Sequence, residues 1–172
     1  MSRRFFTYGT LKRGEPNHHV LNHNVTFVGE GWTAKSYPLV VISPFFVPFL
    51  LDKDSQPGAK QVKGEVYDID DRMLVKLDQL ELHPYWYTRR PTQIHLQSGE
   101  QTTCDVYFLQ TPKPDLLKLE FFSSFDHKLH SYVSRDKRLS SIGDFLDYIK
   151  VCKDVDNVSL KALEDILKSR DI

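Results

Sequence analysis

"FFTYGTLKRGEPN", residues 5–17, is the stretch that decides how the rest of the chain is interpreted. Two aromatic residues lead directly into Tyr8, Gly9, Thr10 and Leu11, so a strand that has barely begun is ended by a glycine. Glycine permits a positive φ, or an approach to another group that a Cβ would block. Successive N–H groups that turn away from a strand end can form a small anion-binding nest. The alternative is an ordinary turn that ends a strand.

The composition is that of a globular protein without net charge. The chain has 172 residues, 40% of them hydrophobic and 12% aromatic, which is enough for one domain with its own core. Lys plus Arg and Asp plus Glu both number 23, a balance that argues against binding to nucleic acid or to a membrane surface. The two cysteines, Cys104 and Cys152, lack metal-ligand spacing and are typical of a reducing compartment. We therefore expect a cytoplasmic protein that binds neither nucleic acid nor a membrane, and we expect it to be a monomer.

The coarse pattern predicts a small, closed or nearly closed β-sheet. Short β-rich segments begin at residue 3, recur at 25–37 and 57–69, and form a predicted hairpin at 91–110. The most apolar run, residues 38–51, contains three prolines, so it is predicted to form buried extended segments and turns and not a membrane helix. Many strands at short spacing with few helices favour an α+β fold built on such a sheet.

One segment between the predicted strands, residues 70–81, has helical spacing of its apolar residues and ends shortly before Pro84. At about 100° per residue, Glu81 lies within the apolar stripe, about 40° from Leu77 and about 20° from Leu74. It also falls in the last turn, where the helix dipole disfavours negative charge. A carboxylate that is desolvated in this way is a candidate general base. The alternative is a side chain at a frayed helix end that swings out into water.

When the loop around Gly9 and the helix-end residue Glu81 are considered together, the sequence resembles the γ-glutamylcyclotransferase-like (AIG2-like) family. The resemblance rests on Tyr8-Gly9-Thr10-Leu11, on Glu81 about seventy residues later, and on the run Pro84-x-x-Tyr87-x-Arg89. It covers roughly residues 4–110 and thins after that. Several stretches are most similar to the γ-glutamylaminecyclotransferase branch: "YGTLKRGEPN" (8–17), "YPLV" (37–40), "VPFLL" (47–51), "GEVYDIDDRML" (64–74) and "LDQLE" (77–81).

The resemblance implies both a fold and a reaction. The fold is a small mixed β-barrel with flanking helices, α+β in class, and a cavity at the strand ends. The reaction releases 5-oxoproline from a γ-glutamyl amide, as the glutamyl α-amine attacks its own γ-carbonyl. By position, backbone groups of Tyr8, Gly9, Thr10 and Leu11 would hold the glutamyl head, and Glu81 would accept and return the proton.

Tyr87 matches a family position at the pocket wall, and the alternative for it is a half-buried strand residue. The reaction needs no cofactor, because the nucleophile is tethered to the substrate and effective molarities in such geometry reach about 10⁵ M or more. His18, His19 and His23 lie close together in sequence. Without Cys or carboxylates at ligand spacing, we predict that they form no metal site.

Two questions stay open at the level of sequence. The leaving group could be a lysine ε-amine, a free amino acid or the Cys-Gly of glutathione, and the loop sequence favours γ-glutamylamines such as γ-glutamyl-ε-lysine. The rival to an enzyme is a non-enzymatic binding module of the same fold, which should lack the carboxylate. The presence of Glu81 favours the enzyme.

The last part of the chain lies outside the resemblance. We divide the sequence into a γ-glutamylcyclotransferase-like domain at residues 1–138 and a helical C-terminal extension at residues 139–172. In this C-terminal extension, Ser141 and Asp144 form a potential capping pair, and apolar residues recur at helical spacing in two segments. We expect two amphipathic helices that dock on the domain or on a partner and take no part in catalysis.

Overall fold

A closed barrel of five strands forms the centre of the computed structural model, which describes residues 2–138 and 141–170. The strands of these residues are β1 (Arg3–Thr7), β2 (Val25–Thr33), β3 (Leu39–Ile42), β4 (Val47–Leu50), β5 (Lys63–Ile69), β6 (Thr88–Leu96) and β7 (Gln101–Phe108). The barrel order is β1-β5-β2-β6-β7, and β3 and β4 pair as a separate two-stranded sheet. Because β1 runs parallel to β7 and antiparallel to β5, the barrel is mixed, as predicted.

Strand alternation divides the apolar residues of the barrel between two hydrophobic clusters. Phe6 and Val66 belong to the cluster of inward-facing strand residues, whereas Phe5 and Tyr67 belong to the cluster that packs against the helices. β1 and β5 approach closely where they pair. A Cβ on Gly64 would lie 2.3 Å from the Thr7 carbonyl oxygen and 2.5 Å from the Phe6 ring, so this position requires glycine.

In the part of the chain that the structure describes, three α-helices each follow a residue whose side chain accepts a hydrogen bond from the N–H group three positions later, the usual N-cap arrangement. They are α1 (Asp71–Leu80), α2 (Ile142–Cys152) and α3 (Asn157–Lys168). The caps are Asp70 for α1, Ser141 for α2 and Asp156 for α3, with N···O distances of 2.8, 3.1 and 2.7 Å. The cap predicted at Ser141 is therefore confirmed.

The proline-rich run at residues 38–51 forms the β3–β4 hairpin, in which Phe49 and Leu50 are fully buried. Its prediction as buried extended chain is confirmed. Cys104 is also buried in the inward-facing cluster, as a packed residue would be. Among the described residues, no helix is both long and apolar enough to cross a bilayer.

Helix α2 packs beside the barrel, against the segments next to β6 and β7, and α3 packs against α2. The Phe145 ring of α2 lies 5.9 Å from the Trp86 ring, measured between centroids, and the Lys113 N–H donates to the Cys152 carbonyl at 3.0 Å. The buried Lys153 follows α2 and donates through Nζ to the Tyr85 carbonyl at 3.2 Å. The domain boundary expected between residues 138 and 139 adjoins residues 139–140, which lie outside the described residues.

Candidate functional site

A cavity of about 270 Å³ lies beside the end of β1. Its wall contains every residue that the sequence singled out as catalytic or substrate-binding. These residues are Tyr8, Gly9, Thr10, Leu11, Glu81 and Tyr87. Residues that are more than seventy positions apart in the chain are thus brought to one place, between the N-terminal loop (residues 8–17), the C-terminal end of α1 and the start of β6.

Gly9 allows the N-terminal loop to pack against the β3–β4 hairpin. A Cβ at Gly9 would lie 3.0 Å from Cγ of Pro48, tighter than an ordinary van der Waals contact. The loop glycine with a positive φ is instead Gly14, at 80°. Of the two reasons considered for a glycine at position 9, the structure therefore supports close approach.

Tyr8 anchors the start of the N-terminal loop to two strands. Its hydroxyl donates to the Tyr107 carbonyl at 2.8 Å and accepts from the Leu50 N–H at 3.4 Å. Burial, together with the negative charge of Glu81, raises the pKa of Tyr8 well above its ordinary value. The hydroxyl therefore stays protonated and holds the loop in place.

Beyond Tyr8, the N-terminal loop is held by contacts that leave a row of its backbone amides open. Asn17 donates from its backbone N–H to the Thr10 carbonyl and from Nδ2 to Thr10 Oγ1, both at 2.9 Å. Among the described residues, no group accepts a hydrogen bond from the N–H groups of Gly9, Thr10 or Leu11. Because these residues line the cavity, their open amides are the candidates for a small anion nest.

Glu65 also holds the N-terminal loop, a role that the sequence did not reveal. It is buried on β5 and accepts from the Arg13 N–H at 2.9 Å, from Arg13 Nε at 3.1 Å and from the Tyr67 hydroxyl at 2.7 Å. Burial would raise the pKa of Glu65, but these hydrogen bonds outweigh it and hold the pKa below its usual range. An acid on a buried strand face is visible in the sequence, but its partner 52 positions away is not.

Glu81 is the C-cap of α1, with its backbone fixed on both sides. Its N–H donates to the Leu77 carbonyl at 2.9 Å, and its carbonyl accepts from the Tyr87 N–H at 3.2 Å. The side chain is half-buried in the cavity wall. Its negative charge contributes to the raised pKa values of Tyr8, Tyr87 and Tyr107, so the carboxylate lies near three phenol groups.

Tyr87 is a buried part of the cavity wall. Its ring stacks on Phe49, with centroids 5.3 Å apart and ring planes 12° apart. Its hydroxyl donates to the Pro48 carbonyl at 3.3 Å. Of the two alternatives for Tyr87, the structure favours the wall position: it lines the cavity just before β6 begins.

Arg89 supports the helix end that carries Glu81. Its guanidinium makes a two-pronged contact with Asp78 on α1, at 2.9 and 3.1 Å, and reaches Asp105 on β7 at 3.4 Å. The Tyr107 hydroxyl donates to the same Asp78 carboxylate at 2.6 Å. This network fixes the last turn of α1 against the barrel, so Arg89 acts on the site through the position of Glu81.

The C-terminal extension also contributes to the wall, which the sequence did not predict. Amphipathic spacing indicated docked helices, but it did not show that they would cover the cavity. Lining side chains from α2, from α3 and from the flanking residues are Arg138, Ser141, Ile142, Phe145, Tyr148, Leu167 and Arg170.

Two of the three histidines that lie close together in the sequence make local contacts with backbone carbonyl groups. Nδ1 of His18 lies 2.9 Å from the Leu11 carbonyl oxygen, and Nδ1 of His19 lies 3.0 Å from the Pro16 carbonyl oxygen. Among the described residues, the group that could offer three metal ligands is Glu15, Asp126 and His127, with ligand atoms within 4.8 Å of one another. Glu15 already accepts from the N–H and ring of His127, so this group holds two loops together.

Comparisons with known proteins match the same part of the chain. A family model described as γ-glutamyl cyclotransferase, AIG2-like, matches residues 5–124. A Drosophila melanogaster relative is 38% identical over 154 residues, which cover 86% of this chain and 96% of the relative. The γ-glutamylaminecyclotransferase of Rattus norvegicus is 38% identical over 133 residues, covering 70% of this chain and 87% of the rat protein. The crystal structure of an AIG2-like protein from Mus musculus has a TM-score of 0.73 and 35% identity, covering 80% of this chain and 99% of the mouse chain.

Proposed function

Because the chain belongs to the γ-glutamyl cyclotransferase, AIG2-like family, we propose that it releases 5-oxoproline from γ-glutamylamines, with γ-glutamyl-ε-lysine as the preferred substrate. One observation carries this proposal: the N-terminal loop and the Glu81 carboxylate meet in the wall of a single cavity. The presence of the Glu81 carboxylate also supports an enzyme over a non-enzymatic binding module of the same fold.

The glutamyl head is held by the N-terminal loop. The backbone N–H groups of Gly9, Thr10 and Leu11 bind its α-carboxylate without a charged side chain. Tyr8 fixes the first residue of the loop, and the Glu65–Arg13 contacts fix its far side. The substrate therefore meets a preorganised row of donors, which keeps the ordering cost of binding low.

Glu81 transfers the proton. It takes a proton from the α-ammonium of the substrate, and the freed amine attacks the γ-carbonyl carbon to close a five-membered ring. The ring nitrogen then gives up its second proton, and the amide C–N bond breaks as Glu81 returns the first proton to the leaving nitrogen. Both protons end on that nitrogen, so 5-oxoproline and the amine in its ammonium form are the products. Because attack is intramolecular, positioning supplies much of the rate and no protein nucleophile is needed.

Tyr87 forms the wall against which the folded substrate rests. Its stacking on Phe49 and its bond to the Pro48 carbonyl keep the ring in one orientation. Burial is the main cause of its raised pKa, so the phenol stays neutral beside the reacting groups.

The proposal is tested by incubating the purified protein with γ-glutamyl-ε-lysine, a γ-glutamyl amino acid and glutathione, and measuring 5-oxoproline by chromatography. We expect the highest kcat/KM with γ-glutamyl-ε-lysine. A clear preference for glutathione would overturn the substrate assignment, and release of 5-oxoproline from none of the three would overturn the reaction.

A further inference from the structure

Two arginines line the cavity from outside the residues that match the family model. The matched residues end at 124, whereas Arg138 precedes the C-terminal extension and Arg170 follows α3. Both side chains are half-buried in the cavity wall. Among the described residues, the charged side chains that line the cavity are these two arginines and Glu81.

The charges are distributed unevenly around the cavity. Glu81 contributes to the raised pKa values of Tyr8 and Tyr87, as described above. Arg138 acts in the opposite direction, because its positive charge lowers the pKa values of Tyr87 and Tyr148 against the larger effect of burial. Glu81 and Arg138 therefore act on the pKa of Tyr87 with opposite signs, and all three residues belong to the wall of the same cavity.

Aromatic rings form part of the same cavity wall as Arg138. The Trp86 ring lies 5.9 Å from Phe145 and 6.0 Å from Tyr148, measured between centroids. The Arg138 guanidinium carbon lies 4.8 Å from the centroid of the Tyr132 ring, and its Nε donates to the Val133 carbonyl at 2.7 Å. This contact orients the guanidinium, while the aromatic rings offer an apolar surface to an aliphatic chain.

We propose that Arg138 and Arg170 bind a carboxylate on the leaving amine, and so make the enzyme selective for γ-glutamyl conjugates whose amine carries an acid group. This inference rests on the proposed function. In γ-glutamyl-ε-lysine, four methylene groups separate the scissile amide from the α-carbon that bears the lysine carboxylate. The methylene chain matches the aromatic surface, and the carboxylate matches the guanidinium groups, which bind carboxylates in a two-pronged geometry.

The test compares two substrates that differ in a single group. Nε-(γ-glutamyl)lysine carries the carboxylate, and N-(γ-glutamyl)cadaverine is the same molecule without it. The kcat/KM ratio of the lysine conjugate to the cadaverine conjugate is measured for wild type, Arg138→Gln and Arg170→Gln. Lys137→Gln and Lys168→Gln are matched controls, because each removes one positive charge from an exposed neighbour that does not line the cavity.

We expect each arginine variant to lower this ratio roughly tenfold or more, as loss of a hydrogen bond to a charged group would. The control variants Lys137→Gln and Lys168→Gln should leave this ratio within about twofold of the wild-type value, the range expected for exposed charges. Equal losses with both substrates would overturn the proposal, since the arginines would then act on the glutamyl head or on the fold. Arg138→Lys keeps the positive charge, so its ratio should lie between those of Arg138→Gln and wild type. If Arg138→Gln fails to melt cooperatively, Arg138→Lys is measured in its place.

Calorimetric binding of both conjugates separates this proposal from the proposed function. If wild type releases 5-oxoproline from neither substrate, the proposed function falls. The arginine site still stands if the lysine conjugate binds wild type at least tenfold more tightly than the cadaverine conjugate and Arg170→Gln removes the difference. Equal dissociation constants in wild type would overturn the arginine site whatever the activity.

Discussion

Glu81 combines a fixed backbone with a side chain in the wall of the cavity, as a proton-transferring carboxylate requires. Glutamine keeps the shape and can hydrogen-bond the substrate, but it cannot accept the ammonium proton. We therefore expect Glu81→Gln to lower kcat by about 10²–10⁴, the range for loss of a general base. Release of 5-oxoproline gives kcat, and thermal melting should show a folded protein.

The matched control for this substitution is Glu120→Gln, which changes an exposed glutamate outside the cavity wall. Its kcat should stay close to that of wild type. If Glu81→Gln kept more than about a tenth of wild-type kcat, Glu81 would not be the base.

At the residue scale, the sequence predicted where a side chain lies on its own element better than it predicted which residues of other elements that side chain contacts. Helical spacing placed Glu81 in the apolar stripe of α1, and the structure has it half-buried. Helical spacing could not explain why position 9 is a glycine. The close contact that a Cβ would make there involves Pro48, which lies about forty positions later in the β3–β4 hairpin. Periodicity describes one element at a time, whereas such clashes arise between elements.

At the scale of elements, the N-terminal loop depends on β5 through Glu65. Glutamine at position 65 would replace one carboxylate oxygen, which accepts hydrogen bonds, by an NH2 group, which donates them. This NH2 group would face a donor of Arg13 or Tyr67. We expect Glu65→Gln to lower the free energy of unfolding by about 1–3 kcal/mol. It should also raise KM severalfold more than it lowers kcat, because in the proposed function the loop binds the substrate and Glu81 is untouched.

Urea unfolding and steady-state kinetics measure both effects. Glu30→Gln on β2 is the control, because Glu30 reaches the same Arg13 only at 3.9 Å from a half-buried position. A Glu65→Gln protein with unchanged KM would show that the N-terminal loop does not need this anchor.

The elements themselves were largely predictable. Helix α1, the β6–β7 hairpin and the extended residues 38–51 follow from local spacing and turn residues, and all are confirmed. The contacts that join them were not, because Arg13 and Glu65 are 52 positions apart and neither residue type specifies its partner.

At the scale of the whole molecule, Asp78 joins α1 to the barrel and should make stability depend on pH. Burial would raise its pKa, but hydrogen bonds from Arg89 and Tyr107 outweigh this and hold the pKa below its usual value. A carboxyl group with a lowered folded-state pKa contributes stability above its unfolded-chain pKa, about 3.9. That contribution is lost as pH falls through the lower folded-state pKa.

We therefore expect wild type to lose stability below about pH 4 more steeply than Asp78→Asn, which cannot titrate at this position. Urea midpoints measured from pH 6 to pH 2 give the two curves. Parallel curves would mean that the Asp78 network adds nothing to acid sensitivity.

The barrel with flanking helices was predictable at this scale from the resemblance, and the position of the C-terminal helices was not. Their amphipathic spacing says that one face of each helix is buried, but it does not say against what. Here Phe145 and Tyr148 pack on Trp86, and the same side chains line the cavity. A family pattern that ends at residue 124 carries no information about this wall.

A cavity whose wall comes from both the barrel and the C-terminal helices couples ligand binding to docking of those helices. A substrate that contacts both sides binds fully only when α2 and α3 are docked, so its binding free energy adds to the free energy of docking. By the same linkage, a change that leaves the helices undocked in part of the molecules weakens substrate binding in proportion to the fraction that stays docked. Backbone amides of α2 should therefore exchange their hydrogens more slowly as substrate saturates the protein. Bound substrate holds these helices in place, so they open less often.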